Sequence, residues 1–311
     1  MPRDASEIVI EGKASQATSQ IAAGAKKKKS RTRYRSPAER LSIAAVKLTV
    51  LGYVAILLAL ALMETRLVYP GAYMEDPPDQ EAAATSIETV EYTSSDGVTL
   101  KGRLLEREQA EHIVLFFHGN AVKARWMDRW LQLLSAEFNA TAMIAEYRGF
   151  EDQCAPDEQG VLADCFAARD YLCSRYQKSP SDLILYGRSL GGGCAVAVAA
   201  QGGAKAMVLD RTFDRLVDVA AGKYPFVPVH WLMRNRYDSL AKLTVYKGPL
   251  VVLHGTADEI IPYRSGETLF AAAACSHKHW IAVQGLGHND SLPLSSLREV
   301  VGKVREFTAG R

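Results

Sequence analysis

The chain has little that would hold a metal or staple a small fold. Its five cysteines, Cys154, Cys165, Cys173, Cys194 and Cys275, form no CxxC pair, and no histidine stands at zinc-ligand spacing, so no metal is indicated. An odd count fits no disulfide framework, and buried free thiols are the expected state. No internal repeat is visible. Net charge is scarce as well, only +2 in 311 residues. That total hides an asymmetry: residues 1–40 hold ten Lys/Arg against four Asp/Glu, and the remainder 27 against 31. A basic arm on a mildly acidic body does not describe a nucleic-acid-binding domain.

What is present begins with that arm. Residues 1–40, with Lys26-Lys27-Lys28-Lys29 and Arg31, Arg33 and Arg35, lack the apolar periodicity of a core and read as disordered. Leu41 to Met63 follows as a 23-residue apolar run broken only by Lys47, long enough as a helix to cross about 30 Å of hydrocarbon. Lys47 lies in the first third, from which its chain snorkels back toward the basic side, and Glu64 and Arg66 end the run. Because the positive cluster precedes the span, the N-terminus is expected in the cytoplasm and the body on the opposite side. The alternative is a signal peptide cleaved near Ala59-Leu60-Ala61, which would release the body as a secreted protein. A retained signal anchor is the better reading, because signal n-regions are much shorter than forty residues. Residues 64–84, with Pro70-Gly71 and Asp76-Pro77-Pro78, read as a linker, and 85–311 as one domain.

Within that domain, Ile87 to Thr93 and Val98 to Leu105 flank Ser95-Asp96-Gly97, a hairpin signal. Strands and helices then alternate. The expected strands are Ile113 to Phe117, Ala142 to Tyr147, Leu183 to Tyr186, Met207 to Leu209, Leu250 to Leu253 and Trp280 to Val283. The expected helices lie near Ala124 to Phe138 and Gly160 to Tyr176, from Leu190, over Tyr263 to Ala274, and from Leu292. Such alternation predicts an α/β class with a mostly parallel, doubly wound sheet of about eight strands, whose ligands bind beyond the carboxyl ends of the strands. The longest interruption, Asp210 to Pro249, suits a helix crossing over a site but not a large lid domain, so an open site is expected.

Gly187-Arg188-Ser189-Leu190-Gly191 joins the strand ending near Tyr186 to the small-residue helix that follows. A serine on such a strand-to-helix turn adopts a strained backbone with its hydroxyl exposed, and the flanking glycines are needed because a Cβ would clash. A serine hydroxyl is a poor nucleophile at neutral pH and needs a base, oriented by an acid. Beyond Ser189, His288 alone among the histidines follows the last strand, in Gly285-Leu286-Gly287-His288-Asn289-Asp290. Asp258, in the turn after Leu250 to Leu253, is the preferred acid and Asp210 its rival, while Asp290 and Glu259 read as solvated or supporting groups. A developing oxyanion needs two donors, expected from the backbone N–H of Leu190 and of Asn120 in His118-Gly119-Asn120-Ala121. Losing one such donor costs about 10² to 10³ in rate, so Asn120→Ala, which spares the main chain, is expected to do less. His118 reads as a structural residue of that loop. No cofactor is required by this chemistry.

Together with the elbow, His118-Gly119-Asn120, Glu146-Tyr147-Arg148-Gly149-Phe150, Tyr224-Pro225-Phe226, Arg236-Tyr237-Asp238-Ser239-Leu240 and Gly287-His288-Asn289-Asp290 resemble the α/β-hydrolase superfamily over about residues 85 to 308. Within it the chain is most similar to the membrane-anchored serine hydrolases that include depalmitoylases and lysophospholipases. The resemblance implies the α/β-hydrolase fold, with Ser189, Asp258 and His288 as nucleophile, acid and base in hydrolysis of an ester or thioester. Three departures bear on substrate: Ala121-Val122-Lys123 and Glu151-Asp152-Gln153 replace the usual continuations of two loops bordering the site, and the arm lacks the cysteine cluster of depalmitoylases. A peptidase of this fold would carry a large gating domain, absent here, and a non-catalytic binding scaffold would have lost one of the three residues.

Overall fold

The computed structural model describes residues 36–76, 86–152 and 154–309; the basic arm and the Pro77-Pro78 stretch lie outside the described residues. Helix α1 (Pro37–Val68) starts four residues before the expected span and ends five beyond it. Its early start follows from a capping box. The Glu39 N–H donates to Ser36 Oγ at 3.2 Å and the Ser36 N–H to the Glu39 carboxylate at 2.9 Å, with Pro37 in the first helical position. Its late end reflects the absence of a breaker before Pro70.

The chain divides at Val54, and everything from Ala55 onward belongs to a single compact unit. Assigning residues 64–84 to a linker is therefore corrected for their first part. Glu64, Val68 and Tyr69 are buried, and Pro70–Tyr73 forms a tight turn against the domain. The Tyr69 hydroxyl lies 2.9 Å from both Asn235 Oδ1 and the Tyr237 hydroxyl, and the Gly71 N–H donates to the Asn120 carbonyl at 2.9 Å. Proline and glycine at 70 and 71 signal a break in the helix, but nothing in them says that the broken chain is packed.

The sheet has eight strands in the order β1-β2-β4-β3-β5-β6-β7-β8. β1 (Ile87–Thr93) and β2 (Thr99–Leu105) form the hairpin, β2 pairs antiparallel with β4 (Ala140–Ala145), and all remaining pairs are parallel. β3 (His112–Phe117), β5 (Leu183–Arg188), β6 (Ala206–Asp210), β7 (Leu250–Gly255) and β8 (Lys278–Val283) supply that parallel body. Alternation along each strand divides the core. Val114, Phe116, Ile184 and Tyr186 face α2 (Asp128–Phe138) and α9 (Leu294–Thr308). Leu115, Phe117, Leu183 and Leu185 face the opposite layer, with α3 (Glu158–Tyr176), α4 (Leu190–Gly202) and α8 (Tyr263–Ala272). β4 lies two residues earlier than expected, because Tyr147 leaves the sheet to donate its hydroxyl to the His118 carbonyl at 3.0 Å.

Between β6 and β7 the chain makes three short helices, α5 (Leu216–Lys223), α6 (Val229–Leu232) and α7 (Ser239–Leu243). All five cysteines are free; Cys165, Cys194 and Cys275 are buried, but Cys154 is exposed, against the expectation of buried thiols.

Register places the functional ends together. Phe117 pairs with Gly187, Arg188 with Asp210 and Asp210 with Leu253, so the loops after β3, β5, β6 and β7 leave the same edge of the sheet. The turn after β5 is tight enough that a methyl group on Gly191 would collide with the Phe117 carbonyl oxygen, and one on Gly187 with the Gly191 carbonyl. Both neighbours are backbone and cannot rotate away. Gly191→Ala is therefore expected to destabilise the fold by about 3 kcal/mol, read as a fall in urea midpoint; an unchanged midpoint would show that the elbow can widen.

Candidate active site

Ser189 sits between β5 and α4 with φ 56° and ψ −119°, a left-handed conformation uncommon for a residue with a side chain. Three bonds hold it there: its N–H donates to the Asp210 carbonyl at 3.0 Å, and its carbonyl accepts from the Gly192 N–H at 3.0 Å and the Thr212 hydroxyl at 2.7 Å. The side chain is thereby committed to the space above the strand ends. His288 Nε2 lies 3.0 Å from Ser189 Oγ, and His288 Nδ1 lies 2.8 Å from Asp258 Oδ2.

A carboxylate can only accept, so the His288 proton resides on Nδ1 and leaves Nε2 as acceptor for the serine hydroxyl. Burial by itself would raise the Asp258 carboxyl, but hydrogen bonds from His254 and His288 and from the Ile261 N–H outweigh it and hold the group well below the usual carboxylate range. Oδ1 accepts from the Ile260 and Ile261 N–H groups at 2.9 and 2.8 Å. Asp258 is thus an anion with both oxygens occupied.

Asp210, the rival acid, is engaged elsewhere. Its carboxylate pairs with Arg211 Nε at 2.7 Å in a wholly buried contact, and the Tyr186 hydroxyl lies 3.4 Å away. Arg211 Nη1 then donates to the carbonyls of Gly287, His288 and Asp290 at 3.0, 3.0 and 2.8 Å, and Arg188 adds a bond to the His288 carbonyl at 3.1 Å. Asp210 and Arg211 therefore anchor the loop that carries His288. Of the supporting acids, Asp290 caps the same loop by accepting from the Gly287 N–H at 2.7 Å.

The loop 118–121 runs beside the serine: a methyl group on Gly119 would sit 3.5 Å from Ser189 Cβ. Leu190 is the first residue of α4, where backbone N–H groups lack intrahelical partners. His118 is structural, with Nε2 2.9 Å from Glu146 Oε1, and the other Glu146 oxygen accepts from the Ala124 N–H at 2.8 Å. The Asn120 side chain is bound too: Nδ2 donates to the Val68 carbonyl at 2.8 Å, tying the loop to the end of α1. Asn120→Ala would free the loop from that tether, a side-chain role that the sequence reading did not include.

Two further residues escaped the sequence reading. His254 Nε2 lies 3.1 Å from the Ile261 carbonyl and 3.3 Å from Asp258 Oδ2, the same oxygen that His288 Nδ1 contacts, while its Nδ1 is buried without a hydrogen-bond partner among the described residues. Its place four residues before Asp258 was the available signal. Arg211 carried none, since its function depends on a positive φ of 47° that no sequence pattern marks. Among the described residues no cluster could hold a metal ion.

A serine on a strand-turn-helix elbow, with histidine and aspartate delivered by later strands of a mostly parallel sheet, is the architecture of an α/β hydrolase. Solved structures agree on the fold. An acetyl xylan esterase from Paenibacillus sp. R4 superposes with a TM-score of 0.60 over 79% of this chain and 93% of its own, at 16% identity. The Pyrococcus furiosus esterase Pf2001 gives 0.59 over 76% and 95%, also at 16% identity. The chain belongs to the α/β hydrolase domain family, whose model matches residues 110–284 and so includes Ser189 and Asp258. Among curated relatives, the protein YfhR of Salmonella typhi is 34% identical over 227 residues, 66% of this chain and 74% of its own. Fission yeast (Schizosaccharomyces pombe) bem46 is 27% identical over 243 residues, 72% of this chain and 80% of its own.

A carboxyl depressed in the folded state contributes stability that is fully present above its unfolded value of about 3.9 and is lost as pH falls through the folded value. Wild type should therefore be more stable than Asp258→Asn at pH 6, with the difference in Tm shrinking below about pH 4. A difference in Tm that stays constant down to pH 2.5 would contradict the ionised, doubly bonded carboxylate.

Proposed function

We propose that the protein is a membrane-anchored serine hydrolase that cleaves carboxylic esters or thioesters through an acyl-enzyme on Ser189. The observation that carries this reading is the continuous relay from Ser189 Oγ to His288 at 3.0 Å and from His288 to Asp258 at 2.8 Å, on a nucleophile whose φ is positive. Ser189 Oγ attacks the carbonyl carbon while its proton passes to His288 Nε2, and Asp258 stabilises the imidazolium. The N–H groups of Leu190 and Asn120 receive the oxyanion. Collapse of the tetrahedral species expels the alcohol or thiol, which takes the proton from His288, and water then repeats the sequence to release the acid. Every step is served by side chains and main-chain donors of this chain, with no cofactor.

The anchor reading rests on α1, which is apolar and exposed over its length up to the last turns. Cleavage near Ala59-Leu60-Ala61 would cut within the unit that contains the hydrolase fold, which argues for retention. In sealed vesicles of the native orientation, a tag at the N-terminus should be accessible only from the cytoplasmic face and the hydrolase domain only from the other; the reverse pattern overturns the assigned orientation.

Fluorophosphonate labelling of the full chain, reconstituted in lipid nanodiscs, tests the chemistry. Ser189→Ala should abolish labelling, and His288→Ala should slow it and lower kcat for an activated ester by roughly 10⁴ or more. Asp258→Asn should cost about two orders less than the loss of histidine. A folded wild type that takes no label would end the serine hydrolase reading.

A further inference from the structure

A cavity of about 220 Å³ lies between the last turns of α1 and the helices α5 and α6. Its walls are mostly hydrocarbon, from Ala61 and Leu67 of α1, Leu216 and Val219 of α5 and Leu232 of α6, and Asn120 also borders it. The polar ends of its charged and amide side chains are turned away. The Glu64 carboxylate is held by the N–H groups of Arg234 and Asn235, both at 2.8 Å, Lys223 Nζ donates to the Glu259 carbonyl at 2.8 Å, and Asn120 Nδ2 is taken by Val68. What remains to line the space is aliphatic apart from the Met233 thioether and the Tyr224 ring, so water gains few bonds there and a methylene chain loses few.

The cavity shares Asn120 with the loop that runs beside Ser189. Asn120 follows Gly119, which packs against Ser189 Cβ, and Thr212, bonded to the Ser189 carbonyl, leads through Phe213 into α5. An acyl group attached to Ser189 would have to pass Asn120 to enter this space. Leu60, Ala61, Glu64, Leu67 and Val68 recur at helical spacing and supply one whole side of it.

Building on the serine hydrolase reading, we propose that the C-terminal turns of the membrane helix form one wall of the acyl-chain subsite, so that the substrate is an ester or thioester of an unbranched medium or long hydrocarbon acid. The span then has two functions, with its outer face apolar toward lipid and its inner face selecting the acyl chain.

The test uses the full chain in nanodiscs with p-nitrophenyl acetate, octanoate and laurate. Ala61→Trp and Val219→Trp fill the space from opposite walls and should each lower the octanoate-to-acetate ratio of kcat/KM by at least about tenfold, since even one methylene is discriminated to that degree. Leu62→Trp, on the exposed face of the same helix, should keep the wild-type ratio. Fluorophosphonate labelling of each variant reports that the site is still assembled. An unchanged ratio in both filled variants, or the same fall in Leu62→Trp, overturns the subsite. Should the wild type neither label nor hydrolyse any ester, the serine hydrolase reading fails by itself. The cavity is then judged by binding of dansyl-undecanoate to Ser189→Ala, where added Ala61→Trp should raise Kd about tenfold and an equal Kd rejects the subsite.

Discussion

The pair formed by Asp210 and Arg211 sets the geometry on which the site depends. Asp210 uses its carbonyl to fix the nitrogen of Ser189 and its carboxylate to fix Arg211, and Arg211 in turn donates to the carbonyls of Gly287, His288 and Asp290 in the loop bearing His288. Ser189 and His288 are 99 positions apart in sequence, yet both are referenced to one dipeptide at the end of β6. A buried guanidinium is costly to desolvate, and here the carboxylate and the loop carbonyls together satisfy it. The charge is neutralised where it stands, and the fork of donors sets direction as well as distance.

Much of this was legible in the residues. The alternation of apolar runs gave eight strands within two residues of their observed ends, and the elbow, the histidine after the last strand and the aspartate after β7 could be named because each is dictated by where a parallel sheet presents its loops. What could not be read depended on long-range packing. The choice between Asp258 and Asp210 turned on which carboxylate meets His288 and which meets Arg211, and strand-end position is common to both. The contact of His254 with the Asp258 carboxylate requires the tight turn through Ile261, which no sequence pattern marks.

The last turns of α1 were the larger omission. A uniform apolar run conceals any stripe within it, and hydropathy cannot separate a side chain that faces lipid from one that faces protein. Glu64 looked like the polar end of the span, whereas it folds inward and accepts from Arg234 and Asn235, closing the junction between helix and domain. α5 and α6 are too short to cover Ser189 by themselves, but with the helix end and Asn120 they bound a largely apolar recess.

The bonds from Asn120 to Val68 and from Gly71 to Asn120 tie the end of α1 to the loop beside Ser189. A detachable tether can be exchanged for any other of similar length, but here modularity stops several residues inside the helix. A chimera carrying a foreign span would have to keep the native residues from about Leu60 to Met74, and a soluble form trimmed at Met63 would keep the bonds of Val68 and Gly71 to Asn120 but lose Leu60 and Ala61 from the cavity wall.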